Sequence, residues 1–135
     1  MNKDVLAESL GLVAGDEDAL TRRFYEILFE RYPSVQPIFS ADIKPQATML
    51  TQAIVAVLEH LDDAEWLAGT LGSLGAKHTG YGVTAEMYPA VGECMIAAMS
   101  ERGGESWTET MTEAWSAALT AVSGLMLAGA QEAAA

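Results

Sequence analysis

The sequence contains a single cysteine, Cys94, which excludes an intrachain disulfide scaffold and a cysteine-rich zinc site. Histidine is nearly as scarce: His60 and His78 are the only two, too few for a multi-histidine transition-metal centre. Basic residues number 7 against 19 acidic ones, a formal charge of −12. Such a field repels phosphate, because nucleic-acid affinity comes largely from Lys and Arg neutralising the backbone. It disfavours an anionic membrane surface for the same reason, so neither nucleic acid nor membrane is an expected partner. No uninterrupted apolar run reaches 18 residues, the scale a spanning helix needs. The opening MNKDVLAESLGLVAGDEDAL lacks the basic start and long apolar run of a signal peptide, so a cytoplasmic location is expected. There is no Gly-rich phosphate loop, Walker lysine or GxSxG elbow, and no Glu-x-x-His pair of the di-iron bundles. Two-residue alternation with turn chemistry is also missing, which argues against a sheet.

What remains is helical spacing in a chain of 135 residues, 50% of them apolar, enough for one domain with a real core. Val5, Leu6, Leu10 and Val13 predict a helix over 2–14. Asp16 is placed to cap the next, with acidic residues in its first turn facing the helix dipole. That segment, about 17–31, carries Leu20, Phe24, Tyr25, Ile27, Leu28 and Phe29 almost all round, the pattern of a buried helix. Pro33 and Pro37 bracket a short turn that closes on Phe39. Leu50, Ile54, Val57 and Leu61 form one stripe of a helix from about Pro45 to Leu61. A Gly-loosened helix over 64–78 ends at Lys77 and His78, and another runs from about Thr84 to Met99. ERGGES reads as a loop, Ser106 or Thr108 opens a last long helix, and the tail from about 130 to 135 is expected to fray. The expected architecture is one all-α domain, 1–135, of six or seven helices, a type that can enclose an apolar pocket.

Three polar side chains stand out against this apolar background. His78 closes a helix and is followed by Gly80 and Gly82; on these residues alone a structural or helix-end histidine is preferred to a metal ligand. Tyr25 lies on the helix apolar on all sides, where its hydroxyl needs a partner. Gln46 stands one turn ahead of the Leu50 stripe. Three such groups from three helices suggest a polar constellation inside an apolar cavity. His60 projects roughly 80° off that stripe at 3.6 residues per turn and reads as a surface histidine. Acidic runs such as DED and DDAE read as solvated faces.

The segments FYEILFERYPSVQPIF at 24–39, LGAKHTGYGVTAEMYPAVGE at 74–93 and WTETMTEAW at 107–115 resemble the globin domain of flavohaemoglobins and its single-domain bacterial relatives. The resemblance runs from about residue 5 to 128 and implies a globin fold around haem b, iron protoporphyrin IX. Carried over residue by residue, it makes His78 the proximal iron ligand. Phe39 becomes the phenylalanine packed flat on the haem, Tyr25 the distal tyrosine, Gln46 the distal glutamine and Leu50 the apolar residue above the iron. Lys77 matches the basic residue near a haem propionate, while Val83, Tyr88 and Val91 match the proximal lining. Two departures stand out. The family's late glutamate, which with the Tyr88 position bonds the proximal histidine, falls on Ala130, with only Gln131 and Glu132 nearby. Pro45 directly precedes Gln46, which puts that glutamine at a helix start.

The function implied by the resemblance is reversible binding of O2 and other diatomic gases, NO and CO among them, for storage, transport or scavenging, with no catalytic residue assigned. The enzymatic alternative is an NO dioxygenase fed by a separate reductase, since this sequence carries no flavin or nicotinamide domain; a gas sensor is the third. The implied assembly is a monomer or homodimer.

Overall fold

The computed structural model describes residues 2–16 and 18–134. Six α-helices follow one another: α1 Lys3–Val13, α2 Ala19–Arg31, α3 Lys44–Glu59, α4 Ala64–Gly80, α5 Met87–Gly103 and α6 Glu109–Ala134. Turns of 3-10 helix at Pro33–Ile38 and Gly104–Ser106 join α2 to α3 and α5 to α6. No strand occurs among the described residues. The all-α expectation holds, and the differences lie at the helix ends.

Asn2 caps α1, its side chain accepting from the Val5 amide, and Asp63 caps α4 through the Trp66 amide. Asp16 caps nothing with its side chain. Its backbone carbonyl accepts from the Ala19 amide, and α2 starts only at Ala19, after Asp18 has turned through a left-handed conformation with φ 62°. Glu17, one of the acidic residues expected in that first turn, lies outside the described residues. Helix α5 begins at Met87 rather than near Thr84, because Thr84 and Ala85 spend their carbonyls on tight turns to the Met87 and Tyr88 amides. It then continues to Gly103, through the first part of the expected ERGGES loop. Helix α6 extends to Ala134, past the point where fraying was expected.

Helix α2 packs against α5, and α4 against α6 along much of its length. The main core gathers Leu6, Val13, Leu20, Phe24, Leu28, Met95, Ala98, Met99 and Trp115, all nearly inaccessible. One polar link crosses it: the Trp115 indole donates to Ser9 Oγ at 2.7 Å, and Ser9 donates in turn to the Val5 carbonyl at 2.6 Å. Both buried groups are thereby satisfied. Tyr25 and its neighbours bury one side of α2, but Glu26, Glu30 and Arg31 stay exposed. The expected all-round burial of α2 is therefore incomplete.

The α4–α6 contact depends on missing side chains. A Cβ at Gly75 would run into the Met126 backbone, and one at Gly129 into the Gly72 backbone. Gly75, which weakens α4 as an isolated helix, is thus what lets it lie against α6. Gly75→Ala gains about 1 kcal/mol in helix propensity, but the overpacking it forces costs about 3 kcal/mol. The expected result is a net loss of about 2 kcal/mol in denaturant unfolding. Gly69→Ala, with nothing within 4 Å of its added Cβ, should instead raise stability by the propensity difference alone.

Candidate functional site

Helices α3 and α4 leave their shared corner at residues 60–63 without packing on each other to any extent. Only Ala47 on α3 is fully buried, and its stripe Leu50, Ile54 and Val57 is half-buried; the helix ends at Glu59, short of the expected Leu61, which lies half-buried in the corner. The apolar side chains accordingly fall into two clusters. One includes Tyr25, Phe39 and Leu50. The other is built on Leu67, Leu71, Tyr88 and Met126, with Leu74 and Val83 against it. Val57 and Trp66 join the second cluster from opposite sides of the corner and close the crevice there. An open groove of about 600 Å3 runs along α4, lined by Trp66, Thr70, Ser73, Leu74 and Lys77 with Ala53 of α3 at its edge; of the expected site residues only Lys77 lines it.

Gln46 and His78 each stand about 20 Å of helix from that corner, at 1.5 Å per residue. Gln46 occupies the first turn of α3, which Lys44 and Pro45 begin; proline suits that position because its missing N–H has no helical partner. Tyr25 comes from α2 and is 3% exposed. Its ring packs edge-on to Phe24 at 4.8 Å and to Phe39 at 5.4 Å, and Phe29 completes the aromatic group. Burial pushes the Tyr25 phenol above its ordinary pKa, and the hydrogen-bonding side chain of Gln46 offsets part of that rise. The structure therefore brings Tyr25, Phe39, Gln46 and Leu50 together on one side of the crevice, three of them from separate segments.

His78 stands on the other side. Its Nδ1 lies 2.8 Å from the Leu74 carbonyl one turn back. A carbonyl only accepts, so Nδ1 carries the proton and the neutral ring keeps its lone pair on Nε2. The Val83 amide donates to the His78 carbonyl at 3.0 Å, fixing the chain reversal after α4. Val83 and Tyr88 belong to the same cluster as Leu74. Val91, 39% exposed, belongs to neither cluster, and Lys77 is exposed at the groove.

His60 has the same i−4 arrangement, with Nδ1 2.8 Å from the Ala56 carbonyl, but the opposite setting. Its ring stacks flat on Trp66, centroids 3.7 Å apart and planes 9° from parallel. It is half-buried at the corner rather than free on the surface. That stack was not legible in the helical wheel, because Trp66 lies on the next helix.

No carboxylate hydrogen-bonds His78 or Tyr88 among the described residues; burial alone raises the Tyr88 pKa. Ala130 is half-buried in α6, while Gln131 and Glu132 are exposed. No cluster of three metal-ligating side chains exists among the described residues, and no described helix is long and apolar enough to cross a membrane. The donor set is thus one imidazole near the end of α4, with a phenol from α2 and an amide from α3. That set suits a flat, apolar cofactor carrying one open metal position, and does not suit a bare ion.

The model of the globin family matches residues 22–126. A flavohemoprotein of Burkholderia sp. (strain TH2) is 30% identical over 130 residues, covering 93% of this chain and 33% of that protein. A flavohemoprotein of Rhodopirellula baltica is 33% identical over 117 residues, or 84% of this chain and 29% of that one. The chain thus spans about a third of the length of the curated relatives it matches. Among solved structures, an engineered carbene transferase from Rhodothermus marinus, itself a proposed nitric oxide dioxygenase, superposes with a TM-score of 0.84 at 26% identity, covering 97% of this chain and 92% of that one. A bacterial globin from Campylobacter jejuni gives 0.83 at 22% identity, with 96% and 94% covered.

Proposed function

The chain belongs to the globin family, and on that premise we propose that it holds one haem b between α3 and α4 and binds O2 and other diatomic gases reversibly. The observation that carries this reading is the hydrogen bond from His78 Nδ1 to the Leu74 carbonyl, which leaves Nε2 as the ring atom available to a metal. Haem, when bound, supplies a ferrous iron with an open position for O2, NO or CO.

The protein's own part follows from its side chains. His78 Nε2 would hold the iron, and the Leu74 carbonyl orients its ring. Leu74, Val83 and Tyr88 on one side, and Phe39 and Leu50 on the other, exclude water from the crevice; Val91 is too exposed to share in this. Lys77, exposed at the groove, offers its ammonium to a propionate at the rim. Tyr25 stays protonated at neutral pH, because burial raises its pKa, and so remains a donor. Its hydroxyl and the Gln46 amide favour a ligand that draws electron density from the metal over one that does not.

A second reading, nitric oxide dioxygenation with electrons from a separate reductase, is favoured by the likeness to the Rhodothermus marinus protein. The proximal side weighs against it. No carboxylate hydrogen-bonds His78 or Tyr88 among the described residues, and an imidazole bonded to a backbone carbonyl donates less electron density to a metal than one bonded to a carboxylate. Storage or delivery of O2 is therefore the leading role.

The test is a titration of the haem-free protein with haemin, followed in the visible spectrum. The expected result is a Soret band saturating at one haem per chain, and a reduced form that takes up O2 and releases it under argon. Uptake that never saturates would sink the proposal. A stable haem complex that consumes NO catalytically when given electrons would instead favour the second reading.

A further inference from the structure

The distal side is carried by α3, a helix with little to hold it. It packs mainly on α2, touches α1 slightly and hardly meets α4. Its one fully buried residue is Ala47, 0% exposed, and at that point a group of hydroxyls gathers. Thr21 on α2, 1% exposed, lies 2.9 Å from Thr51 Oγ1 and 3.0 Å from the Ala47 carbonyl. Thr51 lies 3.1 Å from the same carbonyl. Thr21 Oγ1 also lies 3.2 Å from the Asp18 carbonyl in its own helix; each hydroxyl thus has an acceptor one turn back, and at the present spacing the pair also bridges α2 to α3. On the outer side, Thr48 donates to the Asp18 carboxylate at 2.7 Å. Asp18 is the residue at φ 62° that launches α2, a left-handed conformation that strains a non-glycine residue. Hydrogen bonds from Thr48 and Thr51 hold its carboxyl below the usual range, so it remains an acceptor.

The spacing of these grips matters. At 100° per residue, Thr48 and Thr51 share one side of α3, while Gln46 and Leu50 lie well round on another. Two grips about one turn apart fix a helix against rotation about its own axis, and that rotation is the motion that would carry Gln46 and Leu50 into or out of the crevice. Thr21 stands one turn before Tyr25 on α2, so the same grip sets α3 against the helix that bears the phenol.

We propose that Asp18, Thr21, Thr48 and Thr51 are positioning residues, a polar clamp between α2 and α3 that sets the placing of Gln46 relative to Tyr25 and so the strength of hydrogen bonding to the bound gas. The inference deepens the gas-binding function proposed above and rests on it. Nothing in the clamp touches the ligand. It acts through the rotation of α3.

Two readouts test it. In the haem-free protein, hydrogen exchange is measured on α3 for wild type, Thr21→Val, Thr21→Ser and Thr48→Val. In the haem-loaded CO form of the same proteins, the infrared C–O stretch reports the donors facing the ligand. Thr21→Val is expected to speed α3 exchange about tenfold or more and to shift the C–O band towards that of a site without donors, while exchange in α4 and α6 stays as in wild type. Thr21→Ser should restore both. Thr48→Val, at an exposed position, should move both in the same direction by less, and provides the test should Thr21→Val fail to fold. A band unchanged in the Val variants overturns the proposal, even if exchange accelerates, since the clamp would then be structural only. Wild type that takes up no haem would overturn the gas-binding function beneath it, and the clamp's role with it. That failure is distinguishable, because it appears before any variant is made.

Discussion

His78→Ala is expected to cost at least about 100-fold in haem affinity, since losing a neighbour of a metal ligand alone costs about 10- to 100-fold. The ring does two things that alanine cannot. It presents Nε2 as a base, and it does so in one orientation, because the Leu74 carbonyl holds Nδ1 at 2.8 Å. Dialysis against apomyoglobin, which competes for haem, gives the measurement: the variant should give up its haem while wild type keeps it. Added imidazole should restore much of the Soret band, because the missing group is then supplied in trans to a crevice whose walls are intact. Retention equal to wild type would move the ligand elsewhere. His60 is a poor replacement, since it is stacked face to face on Trp66 at the closed end of the crevice.

The elements that carry the candidate site were legible in the sequence wherever the deciding relation was local. The i−4 carbonyl that orients His78 belongs to its own helix, and the stripe through Leu50 and Ile54 follows from helical periodicity. Helix ends were less legible. Asp16 has the residue type of a cap, but α2 starts after the left-handed turn at Asp18, so the first-turn rule selected the wrong acid. The expected start of α5 was early because the Thr84 and Ala85 carbonyls are taken up by turns, a competition that periodicity does not register. What joins distant segments was not legible at all. The Thr21–Thr51 bond spans 30 residues and the Trp115–Ser9 bond 106. Threonine at either position reads only as a moderate helix residue until the partner is known. Gly75 of α4 shows the same limit: sequence marks it as weakening, and only the Met126 backbone beside it shows what it permits.

Tyr25→Phe is expected to raise the O2 dissociation rate about 10- to 100-fold and the CO dissociation rate by less than about threefold. A hydrogen bond to a group bearing charge is worth about 1.5–3 kcal/mol, and each 1.4 kcal/mol is a factor of ten. Oxygen draws electron density from ferrous iron and gains from a nearby donor, whereas CO is less polarised and gains little. Phenylalanine suits the test because Tyr25 is held by its ring: Phe24 and Phe39 meet it edge-on, and Phe29 lies beside it. Removing the hydroxyl alone leaves those contacts in place, so a change in ligand release reports the donor and not a collapsed pocket. Gln46 stays behind in the variant, and its amide sets how much discrimination survives; Gln46→Leu in the same background should remove most of the remainder. The pH dependence supplies a second check. Since burial holds the Tyr25 pKa above its ordinary 10.0, the phenol remains protonated through neutral and mildly alkaline pH. Wild-type O2 release should therefore be flat there, and should quicken only as pH rises past the elevated pKa and the donor becomes a phenolate. Stopped-flow ligand replacement on both proteins decides it: equal acceleration for O2 and CO would mean that the tyrosine only fills space, and that the hydrogen bond to O2 comes from another group.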